Sequence, residues 1–415
     1  MIKVEIITIG DELLIGQVVD TNSAWMAQAL NSYGFDVCYK TTIGDDEQDI
    51  QDAFERACSR VSVVLVTGGI GPTKDDITKK TLCRFFDTQL IFEESVVDNI
   101  NQLFKSNGFV LNELTRGQAY VPENCMVIQN RVGTAPITWF DKNDVVLVSM
   151  PGVPYEMKEV MTSDILPRLQ ARFETRESIQ HRTFLVQNYT ESRLAIHLEQ
   201  FEDELPEDMK LAYLPSYGFI RLRITGKRLS KALLTEQMDE QCNRLTGLLG
   251  EHILAEMDQS PEFLLAEILS QKGLTLSVAE SCTGGKIAHL ITSIPGSSRY
   301  FKGGIVAYSN EIKQSVLDVS SIDLENHGAV SEPVVRQMAV GALRRFGTDC
   351  AIATSGIAGP DGGTEEKPIG TVWIAVAYKD EIISHKYSFS RSREGNIARA
   401  SNSGILMLLE LVKDA

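Results

Sequence analysis

A chain of 415 residues is too long for one ordinary core and suits two or three domains of roughly 100–200 residues each. Hydrophobic residues at 43% and charged residues at 23% are those of a folded globular protein, which excludes disorder as the main state. Forty Lys plus Arg against 56 Asp plus Glu give a net charge of −16, so phosphate backbones and anionic membranes are repelled on average. A local basic pocket for one small phosphate remains compatible with that charge.

No run approaches the roughly 18 uninterrupted apolar residues of a membrane span. The opening Met1-Ile-Lys-Val-Glu-Ile carries an acid inside its first apolar run and reads as a strand, not a signal peptide. Seven scattered cysteines without Cys-x-x-Cys speak against a disulfide scaffold or zinc ribbon and fit a reducing cytoplasm. Six histidines without His-Glu-x-x-His leave a zinc hydrolase no ligand set.

Three segments follow, at 1–173, 174–256 and 257–415. In the first, the spacing predicts strands at Lys3–Ile9, Phe35–Thr42, Val61–Thr67 and Val145–Ser149. Helices are predicted at Asn22–Ser32 and Gln48–Arg60. This rhythm calls for a parallel sheet covered on both faces. The second segment predicts strands at Arg182–Gln187 and Phe219–Thr225 and helices at Ser192–Phe201 and Ser230–Leu249, an α+β spacer or docking module. In the third, Ser260-Pro261-Glu262 opens a helix. Strands are predicted there at Leu274–Ala279, Gly303–Tyr308, Cys350–Thr354 and Thr371–Ala377. The fold class is α/β: two three-layer domains joined by a small α+β module.

The last segment holds the strongest chemistry, in three loops that follow predicted strands. Ala279–Lys286 contains Ser281, Thr283, Gly284 and Gly285 and leads into a helix whose free N–H groups favour an anion. Gly296–Phe301 contains Ser298 and precedes a strand ending at Tyr308. Ser309–Lys313 then reads as a capped helix start. Lys313 falls in its first turn, where the dipole and partial burial both lower an ammonium pKa. Such a lysine can take a proton from a serine hydroxyl, with Tyr308 to relay or orient it. Thr354–Thr364, with Ser355, Gly356 and Gly359, is glycine-rich enough to wrap a ligand closely.

Together, Ala279–Gly285, Gly296–Ser298, Gly304–Lys313, Gly328–Ser331 and Thr354–Gly363 resemble the C-terminal domain of the CinA family (competence/damage-inducible proteins), also known as a stand-alone nicotinamide mononucleotide (NMN) deamidase. The resemblance implies hydrolysis of NMN to nicotinate mononucleotide and ammonia by a Ser–Lys pair without a metal. It places Ser298 as nucleophile, Lys313 as base and Tyr308 as helper. Ser281 is the rival nucleophile, favoured as an oxyanion or substrate contact. Arg399 matches a family arginine and is a candidate partner for the substrate phosphate. Cys282 has no histidine placed to activate it and is expected to be a packed thiol.

In the first segment, Gly68, Gly69, Gly71 and Thr73 follow a strand and could admit a nucleotide. Asp75 and Asp76, with Asp11 on the same rim, could hold a hard divalent cation or simply complement a helix dipole. Gly10–Leu14, Thr21-Asn22, Gly68–Asp76 and Pro151–Met157 resemble the molybdopterin-binding (MoaB/MogA-like) fold at the front of CinA proteins. That resemblance implies a metal-dependent ADP-ribose pyrophosphatase, while Gly133–Ile137 departs from the commoner Gly-Thr-Ala-Pro-Gly. The middle segment is similar to the family's KH-type insert but lacks Gly-x-x-Gly, so no nucleic-acid binding is expected. A cytoplasmic homo-oligomer, as a dimer, with no membrane partner completes the expectation. The alternatives are a competence-associated nucleotide sensor and a molybdopterin-handling protein.

Overall fold

The computed structural model describes residues 2–73, 75–107, 111–173, 178–228, 230–389 and 392–413. Two compact units form, one from residues 1–180 and 225–240, the other from 181–224 and 241–415. No described helix is long and apolar enough to cross a membrane.

The sheet of the first unit runs in the order Asp36–Ile43, Lys3–Ile9, Val63–Thr67, Val145–Met150, Ile137–Lys142, Met126–Ile128. Its first four strands are parallel, as the β-branched runs predict. The last two are antiparallel, which corrects the expectation of a purely parallel sheet. Asn143 and Asp144 both take positive φ and close a two-residue hairpin between Ile137–Lys142 and Val145–Met150. Alternation along the central strands divides the core. Val4, Ile6, Val63 and Leu65 meet Met26, Leu30 and Met157, whereas Val64 and Val66 meet Ile50, Phe54 and Leu82. Glu5, the acid inside the first apolar run, is 1% exposed. It is held by Arg60 through Nε at 2.8 Å and Nη2 at 2.6 Å and by the Thr41 hydroxyl at 2.7 Å.

The second unit carries a five-stranded sheet in the order Phe301–Val306, Leu276–Glu280, Cys350–Gly356, Thr371–Tyr378, Glu381–Ser388. The first three strands are parallel and the last two form an antiparallel extension. One face presents Ala279, Ala351, Ala353, Ala375 and Ala377, small enough for the helix Glu332–Phe346 to pack close. The other packs Leu276, Val278, Ile352 and Ile374 against the helices Pro261–Lys272 and Arg393–Lys413. The strand Glu381–Ser388 and the helix Arg393–Lys413 are not legible in the sequence pattern. The helix opens with Gly395, Asn396, Ser401 and Ser403, weak helix formers that its buried second half carries into place.

Leu90–Phe92 and Tyr120–Pro122 pair as a two-stranded antiparallel ribbon, and four further strands form a sheet in the order Met209–Ser216, Phe219–Arg228, Ser178–Val186, Ile253–Glu256. With the helices Glu191–Asp203 and Lys231–Leu249 they follow the β-α-β-β-α-β succession of a split βαβ unit. The expected boundary at 174 lies outside the described residues.

Candidate functional site

In the second unit the crossovers reverse direction at the strand Leu276–Glu280, so the carboxyl ends of Leu276–Glu280 and Cys350–Gly356 form the topological switch point. Ser281 leaves the first strand there, its N–H bonded to Thr354 O at 3.0 Å. The Thr283 and Thr354 hydroxyls, both buried, bond each other at 2.7 Å and lock the two loops together. Ser355 donates to Ala329 O at 2.7 Å.

Ser309 accepts the N–H of Ile312 and starts the helix Asn310–Leu317, so Lys313 falls in its opening turn as expected. The side chain runs inward and is only 1% exposed. Its Nζ lies 3.0 Å from Ser281 Oγ and 2.7 Å from Ala307 O. No carboxylate pairs with it among the described residues, and burial lowers its pKa from the ordinary lysine value. Nζ donates to both Ala307 O and Ser281 Oγ, and once deprotonated the amine can offer its lone pair to the Ser281 hydroxyl.

This contact separates the two candidate serines. Ser298 sits in the short 3₁₀ turn Ser297–Arg299, exposed, and is not among the hydrogen-bond partners of Lys313 Nζ. Tyr308 is also placed differently from expectation. Its ring is 60% exposed and its hydroxyl accepts from Arg393 Nη2 at 3.1 Å. Cys282 is packed, and burial pushes its thiol up to about 12, which keeps it protonated.

The anion expected at the start of the helix Lys286–Thr292 is already supplied by the chain. The buried Glu280 carboxylate accepts the N–H groups of Gly285 at 3.0 Å, Ile287 at 3.1 Å and Ala288 at 2.9 Å. Gly284 and Lys286 N–H groups are bonded within the loop. What remains is the N–H of Thr283, which bonds to no backbone acceptor among the described residues, while the Cys282 N–H is turned to its own sulfur.

Arg393 is the residue that sequence reasoning missed. Its Nη1 donates to Gly359 O at 2.6 Å, and its charge acts on Cys282. One turn on, Asn396 Nδ2 donates to Ala358 O at 3.0 Å. Together they brace the glycine-rich loop. Arg399, six residues beyond Arg393, points about 120° away around the helix. Its guanidinium lies over the Tyr217 ring, 5.6 Å from the centroid, on a cavity that neither Ser281 nor Lys313 lines. Only the register of the helix distinguishes the two arginines.

The first unit has its own switch point, between Lys3–Ile9 and Val63–Thr67. A cavity of about 460 Å³ opens there, lined by Gly10, Gly68, Gly69 and Gly71 and by the carboxylates of Glu12, Asp45, Asp75 and Asp76. Gly68 takes φ +110°, and a Cβ there would stand 2.1 Å from Ile9 O. No other residue type allows that approach. Lys74 lies outside the described residues.

The expected acids play unequal parts. Asp76 accepts from Gly71 N at 2.7 Å, Thr73 N at 2.8 Å and the Thr73 hydroxyl at 2.5 Å, so it shapes its own loop. Asp11 and Asp45 exchange backbone-to-carboxylate bonds at 3.1 and 3.2 Å. Asp45 has its carboxyl raised by burial and by Asp11, Glu12 and Asp75 around it. Among the described residues no three His, Cys, Asp or Glu side chains form a metal-binding group by themselves. Asn22, in the wall, donates to Gly152 O at 2.7 Å, while its buried Oδ1 finds no partner among the described residues.

The divergent Gly133 loop is held on the same cavity by Glu156. Its carboxylate takes an N–H from Asn130 Nδ2 at 2.7 Å, and a Cβ on Gly133 would lie 1.9 Å from Glu156 Oε2. Thr134 and Ala135 then form part of the wall.

Residues 258–412 match the family model described as "CinA C-terminal domain", and residues 5–171 match the one described as "Probable molybdopterin binding domain". A CinA-like protein of Cytophaga hutchinsonii is 42% identical over 412 residues, covering 99% of this chain and 97% of its own. A CinA-like protein of Flavobacterium psychrophilum is 42% identical over 415 residues, 99% of each. The crystal structure of competence/damage inducible protein CihA from Agrobacterium tumefaciens is 37% identical, spans 37% of this chain and 99% of its own, and superposes with a TM-score of 0.36.

Proposed function

The chain belongs to the CinA family, and on that premise we propose that its second unit hydrolyses the amide of a pyridine nucleotide, NMN, to nicotinate mononucleotide and ammonia, with Ser281 as nucleophile and Lys313 as base. One observation carries this reading: a buried lysine amine, without a carboxylate partner, lies 3.0 Å from a serine oxygen at the switch point. Lys313 takes the Ser281 proton as the oxygen attacks the carboxamide carbon. The tetrahedral oxyanion faces the N–H of Thr283. Lys313 returns the proton to the leaving nitrogen, ammonia departs, and an ester to Ser281 remains. Water, deprotonated by the same amine, cleaves that ester and restores the serine. Arg393, exposed beside the site, takes the phosphate-binding role expected of Arg399.

Ammonia release from NMN tests this. Ser281→Ala and Lys313→Met should lose activity by about a thousandfold or more, as loss of a nucleophile or base does elsewhere, while Ser298→Ala keeps it. Full activity in Ser281→Ala would sink the assignment, and saturable NMN binding without ammonia would favour a sensor.

For the first unit we propose a divalent-cation-dependent cleavage of a nucleoside diphosphate sugar of the ADP-ribose kind. Asp75 and Asp45, with Asp11 behind, fit a magnesium-type ion, which uses one or two carboxylates and completes its shell with water and substrate phosphate oxygens. Such an ion would neutralise charge on the diphosphate. The orphan Asn22 Oδ1 can accept a hydroxyl or amino donor of the ligand. AMP formation should fall in Asp75→Ala and with a chelator; cleavage indifferent to both would reject this reading.

A further inference from the structure

A cavity in the second unit, of about 730 Å³, is large enough for a nucleotide-sized ligand and takes no part in the chemistry above. One wall is aromatic. Tyr387 and Phe389, two residues apart on one face, stack with ring centroids 5.3 Å apart and planes at 14°. A planar base can extend that stack.

Another wall is cationic. Arg399 is half-buried with its guanidinium over the Tyr217 ring, and no carboxylate pairs with it among the described residues. Arg193, in the first turn of the helix Glu191–Asp203, lines the same cavity, likewise without a carboxylate partner among the described residues. Glu191 and Glu410 also line the cavity, but neither forms an ion pair with Arg399 or Arg193 among the described residues, so both guanidiniums are open to a phosphate.

The third element is a polar end. Glu410 accepts a short bond from Gln187 Nε2, and its charge acts on the Tyr387 hydroxyl, which burial keeps protonated. Arg399, Ser403, Leu406, Met407 and Glu410 all reach the cavity from the helix Arg393–Lys413, at the i, i+4, i+7, i+8, i+11 positions of one face.

We propose that this cavity is a second ligand site, for a purine or pyrimidine nucleoside monophosphate whose base stacks on Phe389 and Tyr387 and whose phosphate meets Arg399 and Arg193. The helix that forms it also carries Arg393 and Asn396, which brace the glycine-rich loop. The site stands independently of the amidase reading.

Calorimetric titration of the full chain with AMP, adenosine and ribose 5-phosphate tests it. AMP should bind saturably, and at least tenfold tighter than adenosine, which lacks the phosphate, or ribose 5-phosphate, which lacks the base. That affinity should survive in Ser281→Ala and Asp75→Ala, which address the two proposed catalytic centres. It should fall at least tenfold in Arg399→Met and in Phe389→Ala, with partial recovery in Arg399→Lys. Thermal unfolding checks that each variant is folded; should Arg399→Met not fold, Arg399→Ser and Phe389→Ala carry the comparison. Absence of AMP binding, equal binding of adenosine, or AMP affinity unchanged in both cavity variants would overturn the proposal.

Discussion

The carboxylate of Glu280 and the backbone N–H of Ile287 bond at 3.1 Å, the central member of three such bonds that close the start of the helix Lys286–Thr292 with the chain's own anion. A glycine-rich strand–helix junction that looks like a phosphate cradle is therefore internally satisfied. It holds the Ser281 loop stiff instead of receiving a ligand. Glu280→Gln keeps the shape, but one oxygen becomes an N–H donor facing other donors. Stability should drop by about 1–3 kcal/mol, measured by denaturant unfolding, with a loss of ammonia release. Unchanged stability would mean the three bonds contribute nothing.

Burial lowers the pKa of Lys313, and the pH dependence follows in sign. As a base it works deprotonated, so kcat/KM for NMN should rise with pH through an apparent pKa below the ordinary lysine value of 10.5. The folded state disfavours the proton while the unfolded state keeps it. Unfolding free energy should therefore climb as pH rises from the lowered pKa towards the ordinary one. Lys313→Met should abolish both slopes. A rate profile flat over that window would count against a lysine base.

Arg393 joins Gly359 O to the Tyr308 hydroxyl from the start of its helix. If it also meets the substrate phosphate, Arg393→Met should raise KM for NMN at least tenfold, with a smaller change in kcat. Tyr308→Phe, which removes only the acceptor, should have a milder effect of the same kind. Nicotinamide riboside, without the phosphate, should not distinguish wild type from Arg393→Met; equal losses with both substrates would make Arg393 a loop brace alone.

Glu5 is a buried carboxylate whose only charged partner is Arg60 among the described residues. Removing the guanidinium leaves that charge uncompensated beneath the sheet. Arg60→Met should destabilise the first unit by on the order of 3 kcal/mol, and Glu5→Gln in the same background should recover part of it. A double variant no better than Arg60→Met would show that the charge itself is not what costs stability.

Local pattern determined much of this protein. The β-branched runs place the central strands, Ser260-Pro261 opens its helix, and the Ser309 cap sets Lys313 in an opening turn, because each depends on a few adjacent residues. The hairpin at Asn143-Asp144 escaped notice because Ile137–Lys142 follows a loop that breaks the pattern. The last helix escaped because its polar start is held by packing and not by propensity.

What the order of residues could not decide was which groups meet. Ser281 follows a strand and Ser298 precedes one, and both lie within a few dozen residues of Lys313. Burial chooses between them: the lysine amine turns inward, where among the described residues the hydroxyl it bonds is that of Ser281, and leaves Ser298 in water. Arg393 and Arg399 carry the same chemistry on one helix, and the packing of its apolar face fixes which of them reaches the glycine-rich loop. Residue type and spacing set the available chemistry, whereas proximity across the fold depends on how the layers close over their cores.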